Sequence, residues 1–355
     1  MTVHDPILAA ARRARAAIPD DSAMLRAAAD LAREFSVANP RIYWSDLLAS
    51  ALIGWSALAG AILIDNVALA VACGVVAMLA LYRAASFIHE LTHIRKDALP
   101  GFRLTWNLIV GVPLMIPSFM YEGIHTQHHA RTRYGTADDP EYLPLALMKP
   151  WSLPLFIVVA SLAPVGLILR FGLLTPLSLL IPALRRKVVA ELSALSINPA
   201  YRRRAPEGDF ARMWAWQEAG ACIVALALVA SVFAFGWKPL LVYMAVHSAM
   251  TVINQLRTLV AHLWENEGEA MTVTAQYLDS VNVPPPGALP ALWAPVGLRY
   301  HALHHLLPSV PYHSLGQAHA RLMTTLDMDS PYHKGNYKGM MPLVGKIARS
   351  TMTAR

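Results

Sequence analysis

Eight of the chain's 14 histidines fall in three short runs: His89-Glu90-Leu91-Thr92-His93, His125-Thr126-Gln127-His128-His129 and His301-Ala302-Leu303-His304-His305. On a helix, residues at i, i+3 and i+4 share a face. Each run can therefore offer two or three imidazoles to one point in space, which is what a metal ion requires of neutral nitrogen donors. Eight imidazoles exceed the four ligands that zinc usually takes, so two ions sharing them is the economical reading. Imidazole without thiolate suits iron, copper, nickel or zinc, and spacing alone does not choose among them. The isolated His4, His313, His319 and His333 read as ordinary polar residues. His247 lies inside an apolar stretch, where a packed or hydrogen-bonded role competes with a functional one.

The first run also fits the helical zinc-protease pattern, with Glu90 as general base. That reading leaves both HxxHH runs unexplained. A non-enzymatic metal carrier would need polar residues along a membrane path, and the clean apolar stretches have almost none beyond His247.

The elements that position these runs are apolar. Hydrophobic residues make up 55% of the 355 residues and charged ones 15%, against about 25% charged in average soluble domains. Clean apolar stretches cover 47–63, 67–87, 219–235 and 240–263, and these predict four full spans of an all-α integral membrane protein. Asp65 and Asn66 form one connecting turn, and Gly236 to Pro239 another. The helix from Val67 runs on into His89 and His93, so its last turns outreach a hydrocarbon core of ~30 Å. Two further apolar blocks are broken by proline: 104–120 by Pro113 and Pro117, and 153–181 by Pro164 and Pro176, with Arg170 inside the second. Residues 289–298 are short, proline-flanked and predicted to be interfacial.

The net charge of +7 sits beside the spans, which excludes a nucleic-acid face and fits the positive-inside pattern. Arg83, Arg95, Lys96, Arg131, Arg133, Arg185, Arg186, Lys187, Arg202, Arg203 and Arg204 mark the cytoplasmic side. Both termini and all three histidine runs then fall there. Each proline-broken block enters and leaves on that same side, so both are predicted re-entrant or interfacial. Residues 1–46 carry Arg12, Arg13, Arg15, Arg26 and Arg33, with Met24, Leu25, Ala28, Leu31, Ala32 and Phe35 at helical spacing. They form amphipathic helices on the membrane surface or a soluble extension. Residues 326–355 are expected to be a basic cytoplasmic tail beside anionic lipid. The N-terminus shows no cleavable signal peptide, and Cys73 and Cys222 are too few for a disulfide framework.

Three boxes of the form HxxxH, HxxHH and HxxHH, in this order around pairs of spans, resemble the membrane fatty acid desaturase and hydroxylase superfamily. The stretch YHALHHLLPSVPYHSLGQAHAR (300–321) is similar to its third box, and YGTADDPEY (134–142) to the segment after its second. The resemblance covers 45–325 and implies a desaturase-type diiron domain over 47–325. It implies two iron ions held by His89, His93, His125, His128, His129, His301, His304 and His305. His262, closing NQLRTLVAH, matches the place of a ninth ligand. Carboxylates that orient metal-bound imidazoles would come from Glu90, Glu122, Asp138, Asp139, Glu141, Glu265 and Asp279, although Asp138 and Asp139 could instead cap a helix start.

The implied chemistry is dioxygen activation and hydrogen abstraction from a fatty acyl or other long hydrocarbon chain. Desaturation is the first expectation. Fatty acid or carotenoid hydroxylation, carotenoid ketolation, and decarboxylation to a terminal alkene share the same boxes. No haem, cysteine-cluster or dinucleotide motif is present, so electrons must come from a ferredoxin, rubredoxin or b-type cytochrome with its reductase. The basic face could dock such an acidic carrier. A bacterial inner membrane is the expected location. Trp106, Met115, Phe119, Trp264 and Trp293 are candidates for lining a tunnel for the chain.

Overall fold

The structure is a computed structural model that describes residues 14–95, 97–145 and 148–352. Arg12, Arg13, His4, Lys96 and the last residues of the basic tail lie outside the described residues. The described residues are helical, with only isolated β-bridges between loops.

Helix α1 (Ser22–Phe35) is capped by Asp21, whose side chain accepts from the backbone N–H groups of Ala23 and Met24. Its apolar stripe packs on protein: Met24, Ala28 and Leu31 sit in one buried cluster with Leu303, Ala318 and Leu322. The long hairpin comes next. Helix α2 (Pro40–Leu63) starts with proline in its first turn behind an Asn39 cap, and α3 (Val67–His93) starts behind an Asn66 cap. The two approach closely at Gly54, where an added Cβ would lie 2.7 Å from Leu81 Cδ2. His89 stands 22 residues into α3, about 33 Å along its axis. It therefore lies past a hydrocarbon core of about 30 Å.

The first proline-broken block dips in and returns. Helix α4 (Phe102–Trp106) passes into a π-turn (Asn107–Gly111), and a 3-10 turn (Ser118–Met120) brings the chain back. The buried Asn107 side chain ties the two limbs, donating to Ser118 Oγ and accepting from Ser118 N, both at 2.9 Å. The second histidine run follows as the short α5 (His125–His128).

The second block is α6 (Ser152–Ser161), α7 (Ala163–Ile168), a π-turn (Leu169–Leu174) and α8 (Thr175–Leu180), with α9 (Pro182–Glu191) after it. Its entry packs Tyr142 and Leu153 against Trp264. Its exit returns Leu195 N to Met120 O (2.8 Å) and Ile197 N to Pro140 O (3.0 Å). Both flanks thus meet the same face, as a re-entrant hairpin requires. Inside it Arg170 is buried with Glu218, which also receives Arg185.

Helices α10 (Gly208–Phe235) and α11 (Trp237–Leu259) form the second long hairpin. They turn at Gly236, whose φ of 72° favours glycine. Among the described residues, four helices are long and apolar enough to cross a membrane: α2, α3, α10 and the broken stretch Ala163–Leu180. This differs in one respect from the four spans expected. At 23 residues α11 has the length, but His247, Asn254 and Gln255 make it more polar than the others. It packs as an inner helix against α2, α3, α6 and α10.

The cap over the end of α3 is built from α12 (Val273–Asp279), α13 (Pro290–Trp293), α14 (His301–Leu306), α15 (Leu315–Thr325) and α16 (Met340–Met352). The basic C-terminal stretch is docked on it through buried Leu343 and Ile347. Exposed Leu52, Val71, Leu180, Ile223 and Phe233 leave the outer helix faces apolar, as a lipid-facing surface requires.

Candidate metal centre

The nine expected histidines meet in two adjacent groups. His89, His93, His125, His129 and His304 form the first, and His128, His262, His301 and His305 the second; within each group the ligand atoms all lie within 4.8 Å of one another. His129 Nε2 is 2.9 Å from His125 Nε2, and His304 Nε2 is 3.1 Å from both His93 Nε2 and His129 Nε2. In the second group His301 Nε2 is 2.9 Å from His262 Nε2 and 3.1 Å from His305 Nε2. Donors at right angles around one ion, each about 2.1 Å from it, stand about 3.0 Å apart. The nitrogens therefore have the spacing of neighbouring ligands. His129 and His305 stack at 4.3 Å between ring centroids and join the two groups.

The expectation that each run serves one point is corrected here. Both HxxHH runs split. The residues at i and i+4 stay together (His125 with His129, His301 with His305), and the residue at i+3 (His128, His304) goes to the other group. Helix pitch explains the split. At about 100° per residue, i+4 lies about 40° from i, whereas i+3 lies about 60° away on the opposite side. Two adjacent histidine groups collect the two flanks. The first run is a simple i, i+4 pair, and both its residues enter the first group.

His262 follows α11 and is held by backbone pairing. Leu263 N donates to Asp279 O (2.8 Å) and Val281 N to Ala261 O (2.9 Å), while Ala302 N reaches Val281 O (3.1 Å). These bonds fix His262 beside the third run.

The carboxylate candidates now sort themselves. Asp139, fully buried, meets His128 Nδ1 with both oxygens at 2.9 and 3.0 Å and also accepts from Gly135 N and Glu141 N at 2.8 Å. Glu141 faces His125 Nδ1 at 3.1 Å, and Tyr121 OH bridges the two, 2.9 Å from the ring and 2.8 Å from the carboxylate. Asp279 acts through Tyr134, whose hydroxyl lies 2.8 Å from both Asp279 Oδ2 and His262 Nδ1. Such partners fix the tautomer that leaves Nε2 free for a metal. The other four point elsewhere. Glu90 accepts from Tyr43 OH and Tyr312 N, its other oxygen 3.8 Å from His89 Nδ1 without a hydrogen bond, Glu122 pairs with Arg103 and Glu265 with Arg15, and Asp138 is exposed. The bridging tyrosines Tyr121 and Tyr134 carry no spacing signal in the sequence.

Burial first, and then neighbouring imidazoles, hold His125, His129, His262, His301, His304 and His305 well below the usual imidazole range. They are neutral donors at pH 7. His128 differs: burial pulls it down, but Asp139 beside it raises it overall. Both ring nitrogens of the buried His89 lack a hydrogen-bond partner. An imidazole stranded in this way, among four others, fits a ligand to a metal ion. Five nitrogens around one point exceed a tetrahedral zinc shell.

The remaining histidines stay outside. His319 Nδ1 bonds Tyr332 OH at 2.8 Å, and His313 Nε2 accepts from Asn39 N at 3.0 Å. His247 is buried in α11 without a partner. Among the tunnel candidates, Trp106, Met115 and Phe119 are core residues, and Phe119 stacks on Trp214. Trp264 packs against His262 at 5.1 Å. Trp293 lines a cleft that reaches His301.

Long apolar helices that carry two adjacent histidine groups at one end define a class: integral membrane proteins with side chains placed so that they could hold a pair of metal ions. The fatty acid desaturase family model matches residues 65–336, and the chain belongs to that family. Along 332 residues, 93% of this chain and 94% of the relative, it is 48% identical to a ceramide hydroxylase of Caulobacter vibrioides (strain NA1000 / CB15N). No solved structure matches it.

Proposed function

We propose that the protein is an oxygen-dependent, non-haem diiron hydroxylase of the membrane, acting on ceramide or a closely similar long-chain N-acyl lipid. The observation that carries this reading is the near end-to-end identity to a ceramide hydroxylase. Desaturation, the first expectation from the boxes, now ranks behind hydroxylation, since the family name alone supports it.

In this reading each histidine group holds one iron, and the nine imidazoles are its ligands. Iron bound there would activate dioxygen and supply the oxidising power that opens an unactivated C–H bond. One oxygen atom enters the lipid and the other leaves as water, with two electrons and two protons delivered from outside. A separate carrier protein with its reductase supplies those electrons. The chain's own groups orient the ligands. Asp139 and Glu141 meet His128 and His125 directly, and Tyr134 relays Asp279 to His262. The cap over the cage excludes bulk water from the reacting carbon. The centre faces the cytoplasm in this scheme, as the positive flanks of the spans require.

Lipid profiling of a ceramide-producing bacterial host that expresses the chain tests the reading. A ceramide with one added oxygen atom is expected. A ceramide or acyl chain that has lost two hydrogens, with none gaining oxygen, refutes it.

A further inference from the structure

Arg257 brings a guanidinium to the membrane side of the cage. It lies in the last turn of α11, five residues before His262. Its Nε is buried with no hydrogen-bond partner, while Nη2 donates to Asn254 Oδ1 at 3.2 Å and the guanidinium also meets the Tyr82 hydroxyl. Burying a charge is costly unless its donors are used, and guanidinium presents five of them in a planar fork. The unpaired Nε leaves this fork open to an acceptor from outside the protein.

The surroundings indicate its chemistry. Arg257, Val283, Trp293, Leu298 and the cage residue His301 line one cleft. Tyr82 holds Trp293 in place by donating to its backbone O at 2.9 Å. Beside Trp293, Leu289 just before α13 and Leu292 within it are 71% and 50% exposed, which makes an apolar rim suited to lipid. Arg299, also in the cleft, is already committed: it donates to Val283 O (2.8 Å) and Gly287 O (3.0 Å). Arg257 keeps a buried Nε that no group of the protein meets. Its charge reaches the cage, adding to the burial that holds His262 and His301 neutral.

We propose that Arg257 anchors the polar head of the lipid substrate. Its guanidinium donates to the amide carbonyl and an adjoining hydroxyl of a ceramide-type head that enters over α13. The oxidised carbon then lies within a few bonds of that head. An unfunctionalised hydrocarbon offers nothing to this subsite. The assignment rests on the hydroxylase reading and names the part of the substrate that the site grips.

The test uses the full-length protein in nanodiscs, with Arg257→Leu and Arg257→Gln. Two probes are titrated: a short-chain fluorescent ceramide and an alkyl chain of equal length bearing the same dye. Wild type should bind the ceramide more tightly. Arg257→Leu should weaken ceramide binding by roughly 10–100-fold, leaving metal content and alkyl binding unchanged. Arg257→Gln, which keeps an NH₂ donor, should fall between. Should the leucine variant not fold, the glutamine variant carries the comparison. Unchanged ceramide binding in either folded variant at wild-type metal content overturns the proposal, as does a wild type that binds both probes equally. The two readings fail separately. A wild type that desaturates, with ceramide binding still lost in Arg257→Leu, sinks the hydroxylase reading alone. A wild type that hydroxylates, with binding unchanged in the variant, sinks the anchor alone.

Discussion

Replacing Asp139 by asparagine removes one charge from a group that does three jobs. Its carboxylate receives His128 Nδ1, Gly135 N and Glu141 N, all within 3.0 Å. An amide has one acceptor oxygen, and its NH₂ would face a donor. Losing such a partner of a metal ligand typically loosens the metal 10–100-fold, roughly 1.4–2.7 kcal/mol. A stranded backbone donor costs about 1–3 kcal/mol of stability besides. His128 belongs to the four-histidine group, so that group should empty first. Chelator competition followed by elemental analysis reads this directly. Asp139→Asn should drop from two metals per chain to about one at chelator levels that leave wild type full. Asp138→Asn, altering the exposed neighbour, is the control and should match wild type. Equal chelator resistance in Asp139→Asn and wild type would refute the reasoning, and so would equal losses in both variants.

Three further outcomes follow from the same contacts. Glu90→Gln should keep both metals, because Glu90 accepts hydrogen bonds from Tyr43 and Tyr312 and stands 3.8 Å from His89 Nδ1, beyond hydrogen-bond reach; its thermal midpoint should fall while activity per metal stays near wild type, and an abolished activity at full metal content would contradict this. Asn107→Ala cuts the tie across the first re-entrant block and should cost about 1–3 kcal/mol in detergent unfolding; no loss would show the tie to be dispensable. Glu218→Gln leaves the buried Arg170 underpaired and should destabilise by about 3–5 kcal/mol, read from the same transition, with an unchanged midpoint counting against it.

Much of this centre was legible in the residues. The three histidine runs stand out by spacing, and hydropathy placed α2, α3 and α10 and predicted that α3 would lift His89 and His93 beyond the hydrocarbon. The prolines marked both broken blocks. What spacing hid was the split of each HxxHH run, because i, i+3 and i+4 look like one face until two ions share it. Proximity in sequence also misled about Glu90. It adjoins His89, yet one residue on a helix turns about 100°, which aims it at Tyr43. Asp279 stood out only as one acid among several, since its effect passes through Tyr134, far away in sequence. The α1 stripe was equally ambiguous: an amphipathic face does not say whether lipid or protein covers it, and here α15 does. Arg257 carries no signal in the sequence, and only the fold brings it to the cleft beside His301.

The central claim is that nine imidazoles hold two irons. Elemental analysis of the purified full-length chain, with Mössbauer spectroscopy of an iron-57-enriched sample, tests it most directly. The account predicts two irons per chain in nitrogen-rich, thiolate-free environments. A single zinc with no iron, after iron-replete expression, would contradict it.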